Sequence, residues 1–297
     1  MSEPMRTRVS YDGLENRPQR YPDVPEPLEV GTYDNHTHLE IADGERALSV
    51  AEHLDLMRQA GMLGAIQVGV TLESSIWSAE VAKAEPMLLA AVALHPNEAP
   101  LYQTQSKLDE ALAQIAELAT WERVRAIGET GLDFFRTEGE EALRLQQSSF
   151  EAHIEIAKQQ GIALQIHDRE AHAQVVETLN RVGAPDRTVF HCFSGDVDLV
   201  EIAKPKGWFI SFAGNITFKK NQYLRDALLA CDPTQILIET DAPFLTPEPL
   251  RGRPNAPYLI PHTLRFMAQV LGVGVNELAE QINRNTIAAY GSFDKVD

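Results

Sequence analysis

The sequence predicts an α/β protein folded as a single closed barrel of eight parallel strands, with helices between successive strands. Three observations predict this fold: the chain length of 297 residues, a series of short apolar runs, and amphipathic stretches between those runs. Because one such barrel takes about 250 residues, a single domain accounts for most of the chain. Continuous apolar runs are typical of parallel strands buried on both faces. The predicted strands cover residues 30–34, 64–70, 87–94, 124–129, 162–167, 188–192, 207–213 and 236–241.

The stretches between these runs have the apolar spacing of helices, and several end at a glycine of the kind that caps helix C-termini. Examples are SVAEHLDLMRQAG, SKLDEALAQIAELA and AHAQVVETLNRVG. Eight strand-and-helix repeats favour a closed barrel over an open doubly wound sheet. An open sheet more often carries a glycine-rich phosphate loop after its first strand, and DNHTH is no such loop. Residues 260–271 and 275–289 predict two helices that close the barrel.

Residues 1–29 differ from the rest of the chain and predict an N-terminal arm rather than a domain. Five prolines interrupt any regular period, and arginines alternate with acidic residues. We expect the arm to lie as a strap along the barrel, with contact to a substrate or partner as the alternative. The barrel domain is predicted to occupy residues 30–297.

Composition restricts the class of protein. The formal charge of −17 argues against a non-specific duplex binder, because phosphate affinity is built mostly from Lys and Arg. The two cysteines, Cys192 and Cys231, form no disulfide framework and favour a reducing compartment. The longest apolar run, MLLAAVAL, is far shorter than the roughly 20 residues of a membrane-spanning helix. With no signal sequence in view, we expect a cytoplasmic monomer without membrane contact.

Imidazoles and carboxylates occur where the predicted strands end. Because the carboxyl ends of parallel strands meet at one rim of a barrel, these groups should converge there. His36 and His38 alternate onto one face and can reach one ion, whereas Cys192 follows His191 directly and turns outward. A lone strand-end histidine indicates little, but seven converging groups predict a metal-dependent active site. They are His36, His38, His95, Glu129, His167, His191 and Asp241.

The remaining histidines are interpreted as structural. His53, His153 and His172 fall inside helical patterns, and His262 lies near a helix start. Glu239 shares a face with Asp241 one layer deeper, and we interpret it as an inner-layer acid rather than a ligand.

Successive motifs from about residue 31 to the C-terminus resemble those of TatD-type metal-dependent deoxyribonucleases. The motifs are DNHTH, LHPNE, GETGLD, QIHDR, HCFSG and ETDAPFL. The resemblance implies a TIM barrel of the amidohydrolase type. It also implies one ion on His36, His38, Glu129 and Asp241, with Glu129 bridging to a second ion on His167 and His191. His95 would then lie near the bridging water or the phosphate.

The chain departs from the family pattern in three places. Asn97 stands where the family often has a second histidine, and Ala256 stands where an acid or amide is usual. The arm is also longer than is typical. None of these departures affects an implied ligand, so they bear on substrate contacts only.

The implied ligands are typical of a catalytic site. Mixed His and carboxylate donors with open positions differ from a closed structural zinc site, and they suit Zn, Mn, Mg, Co or Ni. Two divalent ions about 3.5–4 Å apart activate water and stabilise an in-line displacement. Phosphodiester hydrolysis of DNA is the reaction we expect, with Asp241 accepting the proton, Glu129 bridging and His95 beside the reacting group.

We expect a 3′–5′ exonuclease on single-stranded DNA or ends, because a narrow barrel mouth admits one strand more easily than a duplex. Arg253, Lys219 and Arg169 fall in loops after strands and are candidate phosphate contacts, with simple surface charge as the alternative for each. Two other functions stay open: an amidohydrolase-like hydrolase of a small ester, lactone or amide, and a noncatalytic metal-bound scaffold. Glu129 in place of a fourth-strand lysine favours the nuclease over the amidohydrolase.

Overall fold

Eight parallel strands form one sheet in which each strand pairs with its neighbours in the sequence. The computed structural model describes residues 3–8 and 17–294, so residues 1, 2 and 9–16 of the predicted arm and 295–297 lie outside the described residues. The barrel strands are β1 Tyr33–Thr37, β2 Gly64–Val68, β3 Leu88–Val92, β4 Val124–Asp133, β5 Ala163–Arg169, β6 Thr188–Phe190, β7 Phe209–Phe212 and β8 Ile236–Ile238.

The first and last strands are joined beyond the end of β8. The Asp241 amide donates to the His36 carbonyl at 3.0 Å, and the His38 amide donates to the Ala242 carbonyl at 2.8 Å. Thr37 and Ala242 form a parallel bridge between them. The sheet is therefore a nearly closed TIM barrel, which confirms the predicted fold class.

Helices follow the strands in the alternating order that the sequence predicts. Ser49 and Glu52 form a reciprocal capping box that begins the first helix. Gly161, at φ 62°, ends the longest helix in the left-handed conformation that glycine adopts without strain. The helices are α1 Val50–Gln59, α2 Leu72–Ala84, α3 Gln105–Leu118, α4 Glu140–Gln160, α5 His172–Val182, α6 Val197–Ala203, α7 Gln222–Ala230, α8 Ile260–Leu271 and α9 Val275–Tyr290.

The N-terminal end of the barrel is filled by the C-terminal segment. Tyr290 and Phe293 pack with the apolar residues of the barrel interior. The Phe293 ring stacks on Tyr33 with centroids 4.4 Å apart, and the Tyr290 hydroxyl accepts a 2.7 Å bond from Gln165. The charged side chains described below lie at the opposite rim, where the strands end.

Strand β1 lies three residues later than its predicted range of 30–34, and strand β4 extends furthest beyond its predicted end. It continues to Asp133, so Glu129 lies inside the strand and not at its end. The pairing of β4 with β5 skips from Ile127 to Thr130, which marks a bulge around Glu129. A Cβ at Gly128 would lie 2.4 Å from the Cβ of Gln165, so only glycine fits beside this bulge.

The described parts of the arm lie against the barrel. Arg6–Thr7 forms a short parallel pairing with Ile41–Ala42, just beyond β1. Further along, the Tyr258 hydroxyl donates to the Pro22 carbonyl at 2.6 Å, and Arg265 donates to the Glu26 carbonyl at 2.7 Å. Within the described ranges, none of the helices combines the length and apolarity needed to cross a bilayer.

Candidate metal centre

Five histidines and two acidic residues from six different strands or strand ends meet at the C-terminal rim. His36 and His167 lie within β1 and β5, and Glu129 lies at the bulge of β4. The others follow their strands within three residues. All seven residues singled out from the sequence as metal or catalytic groups are therefore brought together: His36, His38, His95, Glu129, His167, His191 and Asp241.

Four donor atoms form what we term the first donor group. The Nε2 atoms of His36 and His38 lie 3.1 Å apart. Asp241 Oδ1 is 3.5 Å from His38 Nε2 and 3.9 Å from His36 Nε2. Glu129 Oε2 is 3.7 and 3.8 Å from the same two nitrogens. Atoms this close from two imidazoles and two carboxylates can surround one ion.

The other oxygen of Glu129 faces a second donor group. Its Oε1 lies 2.6 Å from His167 Nδ1, 2.8 Å from His191 Nε2 and 3.3 Å from His95 Nε2. His95, Glu129 and His167 have donor atoms close enough to hold a metal together. One carboxylate thus presents separate oxygens to two sets of imidazoles.

Backbone and side-chain contacts fix which ring nitrogens face the centre. His38 Nδ1 lies 3.0 Å from the Val68 carbonyl, which holds it as N–H and leaves Nε2 for a metal. His167 Nε2 lies 3.2 Å from Asp133 Oδ2, which leaves its Nδ1 toward Glu129. Each of these two candidate ligands therefore has an orienting partner behind it.

Glu239 supports His191 in the same way. Its Oε1 accepts a 2.7 Å bond from the Cys192 amide and lies 3.2 Å from His191 Nδ1. Glu239, His36 and His191 form another group with donor atoms close enough for an ion. Oε1 of Glu239 thus supports His191, whereas its buried Oε2 has no hydrogen-bond partner among the described residues, so the interpretation of Glu239 as an inner-layer acid rather than a ligand stays a prediction.

Asp133 was not singled out by the sequence reasoning. Besides His167, its Oδ2 accepts a 3.0 Å bond from the Asn97 amide group. Residues 129, 131 and 133 share one face of an extended strand. That alternation would have found Asp133 had the strand been predicted to continue past Glu129.

The electrostatics of the centre arise from burial opposed by mutual attraction. Burial alone would raise the pKa of Glu129, but the imidazoles of His191 and His95 outweigh it and hold this pKa well below its usual value. Burial would likewise lower the pKa of His191, yet Glu129 and Glu239 raise it well above the ordinary value. The pKa of His36 is lowered by burial and by the neighbouring His191. The Glu129 carboxylate is thus ionised and attracts positive charge.

The three predicted phosphate contacts occupy different environments. The Arg169 guanidinium stacks 4.0 Å from the centroid of the Phe135 ring, and Lys219 is exposed in the turn after β7. Arg253 instead donates to the carbonyls of Arg20 at 3.2 Å and Tyr21 at 3.0 Å. A phosphate contact by Arg253 would require it to release these bonds to the arm.

Two of the histidines interpreted as structural, His153 and His172, bond to residues outside the seven-residue centre. His153 is buried, and its Nδ1 lies 2.8 Å from the Thr130 hydroxyl. His172 pairs with Asp168 at 2.7 Å. Cys192 is a free cysteine whose amide, rather than its thiol, is bonded to Glu239.

Comparison with known proteins identifies the family. The profile of the family described as TatD related DNase matches residues 33–291. The chain belongs to the TatD family. It is a metal-dependent hydrolase on a TIM barrel, and the arm precedes the matched region.

Individual relatives agree with this assignment. A Mycobacterium tuberculosis protein described as "Uncharacterized metal-dependent hydrolase TatD" is 36% identical over 261 residues, covering 87% of this chain and 97% of its own length. An uncharacterized metal-dependent hydrolase of Mycoplasma genitalium is 33% identical over 262 residues, covering 85% of this chain and 96% of its own. The crystal structure of YJJV, a TatD homologue from Escherichia coli, is 26% identical with a TM-score of 0.78, covering 88% and 98%.

Proposed function

We propose that this TatD-family protein hydrolyses phosphodiester bonds of DNA at a centre of two divalent ions bridged by Glu129. The observation that carries the proposal is the placement of the two Glu129 oxygens. Oε2 lies among His36, His38 and Asp241, whereas Oε1 lies 2.6 Å from His167 and 2.8 Å from His191. The donor set consists of imidazole nitrogens and carboxylate oxygens, which suits Zn, Mn, Co or Ni and tolerates Mg.

The residues of the centre have separate roles in this proposal. His36, His38 and Asp241 would hold one divalent ion, His167 and His191 would hold the other, and Glu129 offers an oxygen to each set. When bound, such ions would lower the pKa of a water and neutralise charge on the phosphate. Although burial opposes it, the neighbouring imidazoles lower the pKa of Asp241 and keep it ionised at neutral pH. The ionised carboxylate is thus available to accept the proton of the attacking water. His95, 3.3 Å from Glu129 Oε1, contacts the reacting phosphate.

A single strand of DNA fits the charged and aromatic groups of this rim. Phe135 is 54% exposed and carries the Arg169 guanidinium on its face. Arg251 stacks in the same way on Phe218, 4.2 Å from the ring centroid. Exposed aromatic faces bind unstacked bases, and adjacent guanidiniums bind the backbone. We therefore propose 3′–5′ exonuclease action on single strands or ends, with Arg169, Lys219 and Arg253 as phosphate contacts.

A metal-by-substrate panel tests the proposal. Metal-stripped protein is reconstituted with Zn, Mn, Mg, Co or Ni and given 5′-labelled single-stranded DNA, duplex DNA, RNA and a simple carboxylic ester. We expect a ladder of products shortened from the 3′ end of single-stranded DNA. This activity should disappear when a chelator is added and in the His167→Ala variant. His172→Ala is the matched control, because His172 is a rim histidine outside the seven-residue centre.

Other outcomes of the panel contradict the proposal in different ways. Turnover of the ester with no cleavage of DNA or RNA would assign a small-molecule hydrolase. Internal cuts without a ladder would replace exonuclease by endonuclease action. Metal-dependent DNA cleavage that persists unchanged in His167→Ala would place the active centre elsewhere.

A further inference from the structure

The described arm approaches the rim on the side of the first donor group. Its short strand, Arg6–Thr7, pairs with Ile41–Ala42 directly after His38. The Arg8 amide continues this pairing with a 2.8 Å bond to the Ala42 carbonyl. The arm lies outside the region that the TatD family shares, since the match begins at residue 33. Whatever the arm does at this rim is thus an addition to the common barrel.

Among the described arm residues, Arg8 reaches the turn after Asp241 with its side chain. Its Nη1 donates to the Pro243 carbonyl at 2.8 Å and to Asp43 Oδ2 at 3.2 Å. The same guanidinium lies 4.9 Å from the centroid of the Phe244 ring. The side chain is only 13% exposed, so it is packed into place rather than solvated.

The turn that Arg8 contacts carries a metal-ligand candidate in an uncommon backbone conformation. Asp241 has φ 52°, in the left-handed region that non-glycine residues seldom adopt without support from their surroundings. The Phe244 amide closes the turn with a 2.8 Å bond to the Asp241 carbonyl. The Phe244 ring also lies edge-on to His38 at 6.4 Å. Arg8 therefore contacts Pro243 and Phe244, two residues of the turn that follows Asp241.

We propose that Arg8 is a positioning residue that fixes the Asp241 turn and so strengthens the binding of one ion, at the first donor group. The inference rests on the metal centre proposed above. The effect is expected to be selective because, among the described residues, none of the arm's polar contacts falls on a residue of the second donor group. At this rim they fall on Glu40, Ala42, Asp43, Glu45, Pro243 and Arg253. His95, His167 and His191 are contacted by barrel residues instead.

Arg17 offers a matched control within the same arm. Its guanidinium forms an ion pair with Asp43, the carboxylate that Arg8 also contacts. Arg8 and Arg17 are both mostly buried, at 13% and 8% side-chain exposure. Of the two, only Arg8 reaches Pro243 and Phe244. Substitution of Arg17 therefore tests the anchoring of the arm alone, whereas substitution of Arg8 also tests the positioning of the turn.

The test measures metal binding rather than turnover. Full-length wild type, Arg8→Ala and Arg17→Ala are stripped of metal and titrated with Co²⁺, whose visible spectrum reports each site. We expect wild type and Arg17→Ala to bind two ions alike. Arg8→Ala should bind one ion normally and the other about 10- to 100-fold more weakly, the usual effect of losing an orienting contact. Arg8→Lys should fall between them, because lysine keeps the charge but lacks the planar fork.

The outcomes are distinguishable. Wild type that binds two ions while Arg8→Ala binds both with unchanged affinity would overturn the role of Arg8 and leave the proposed function standing. Equal weakening in Arg8→Ala and Arg17→Ala would show only a general effect of arm anchoring, and also overturns it. Wild type that binds no ion would overturn the proposed function and this inference together. Thermal denaturation of the metal-free variants, expected to be alike, identifies a variant that has lost its fold.

Discussion

Two groups of buried histidines in this barrel have opposite charge properties. His153 and His53 are packed among helices and strands, and burial lowers the pKa of His153 to about 3 and that of His53 to about 4. His38 is equally buried, which would lower its pKa, yet Asp241 and Glu40 raise that pKa to about 10. Burial alone therefore produces a neutral imidazole. Carboxylates facing His38 and His191 outweigh burial and keep these two rings positively charged, whereas burial lowers the pKa of His36 and His95 even beside Glu129.

This difference distinguishes His38 and His191 from His53 and His153 better than burial does. The His153 ring accepts a bond from the Leu94 amide at 3.3 Å and lies 2.8 Å from the Thr130 hydroxyl. Its partners are neutral, so nothing there attracts a cation. The centre around Glu129 instead concentrates ionised carboxylates in a buried place, where charge interactions are strong. Divalent ions can replace the protons that the imidazoles hold.

The largest expected effect follows from removing the charge that both donor groups share. Glu129→Gln keeps the shape of the side chain but removes the carboxylate. We expect hydrolysis to fall at least about 100- to 1000-fold, the range for losing one charge-stabilising group. At least one ion should also be lost, as measured by metal analysis of the purified variant. Glu110→Gln, at an exposed position of α3, is the control.

A Glu129→Gln variant with normal activity and two bound ions would contradict the proposed difference between the centre around Glu129 and the surroundings of His153. The carboxylate would then be another structural group, like the partners of His153. Circular dichroism of both variants confirms that the barrel is folded before activity is compared.

The second prediction compares the loss of a core histidine with the loss of a histidine at the proposed metal centre. His153→Ala leaves a cavity and unpaired partners in the core, so the free energy of unfolding should fall by about 2–4 kcal/mol while metal content stays unchanged. His167→Ala should lose one ion with a smaller loss of stability, because His167 lies at the open rim. Urea denaturation of metal-free protein and metal analysis provide the two measurements. Loss of metal in folded His153→Ala would contradict the separation.

The sequence was sufficient to predict the features that follow from strand periodicity. Eight apolar runs predicted the barrel, and the residues after them predicted a rim where Glu129 and the histidines meet. The alternation of His36 and His38 predicted their shared face, seen in the 3.1 Å separation of their Nε2 atoms. These features depend on local pattern and on the parallel arrangement alone.

Features that depend on particular tertiary contacts could not be predicted. Glu129 lies at a bulge inside a longer strand, and Asp133 continues that strand to contact His167. Arg253 stays a predicted phosphate contact, but its loop sequence did not indicate that its guanidinium also donates to the arm carbonyls of Arg20 and Tyr21. No period in residues 1–29 indicates where the arm lies, because its position is set by separate bonds to Asp43, Tyr258 and Arg265.

The third prediction concerns the protons that His38 and His191 release when metal binds. Because the pKa of His38 is raised to about 10 and that of His191 is raised well above its usual value, both rings hold protons at pH 7 without metal. Ligation needs neutral imidazole, so metal binding should release protons. Apparent affinity should rise with pH between about 6 and 9, by up to about tenfold per pH unit for each proton displaced. Titration calorimetry in two buffers of different ionisation enthalpy measures the release.

Affinity that is flat across this range would mean that the site imidazoles are already neutral. They would then resemble His53 and His153, and the electrostatic difference between the two groups would not hold.

The smallest expected effect concerns stability in acid. The pKa of His53 is lowered by burial to about 4 in the folded protein, against about 6.5 in an unfolded chain. The unfolded state therefore binds the proton first, so the contribution of the neutral ring is complete above pH 6.5 and declines as pH falls toward 4. The decline is at most about 1.4 kcal/mol per pH unit. His53→Leu, which cannot take up a proton, should lose stability less steeply between pH 6.5 and 4.5 in urea denaturation. Parallel slopes for wild type and variant would show that burial does not keep His53 neutral.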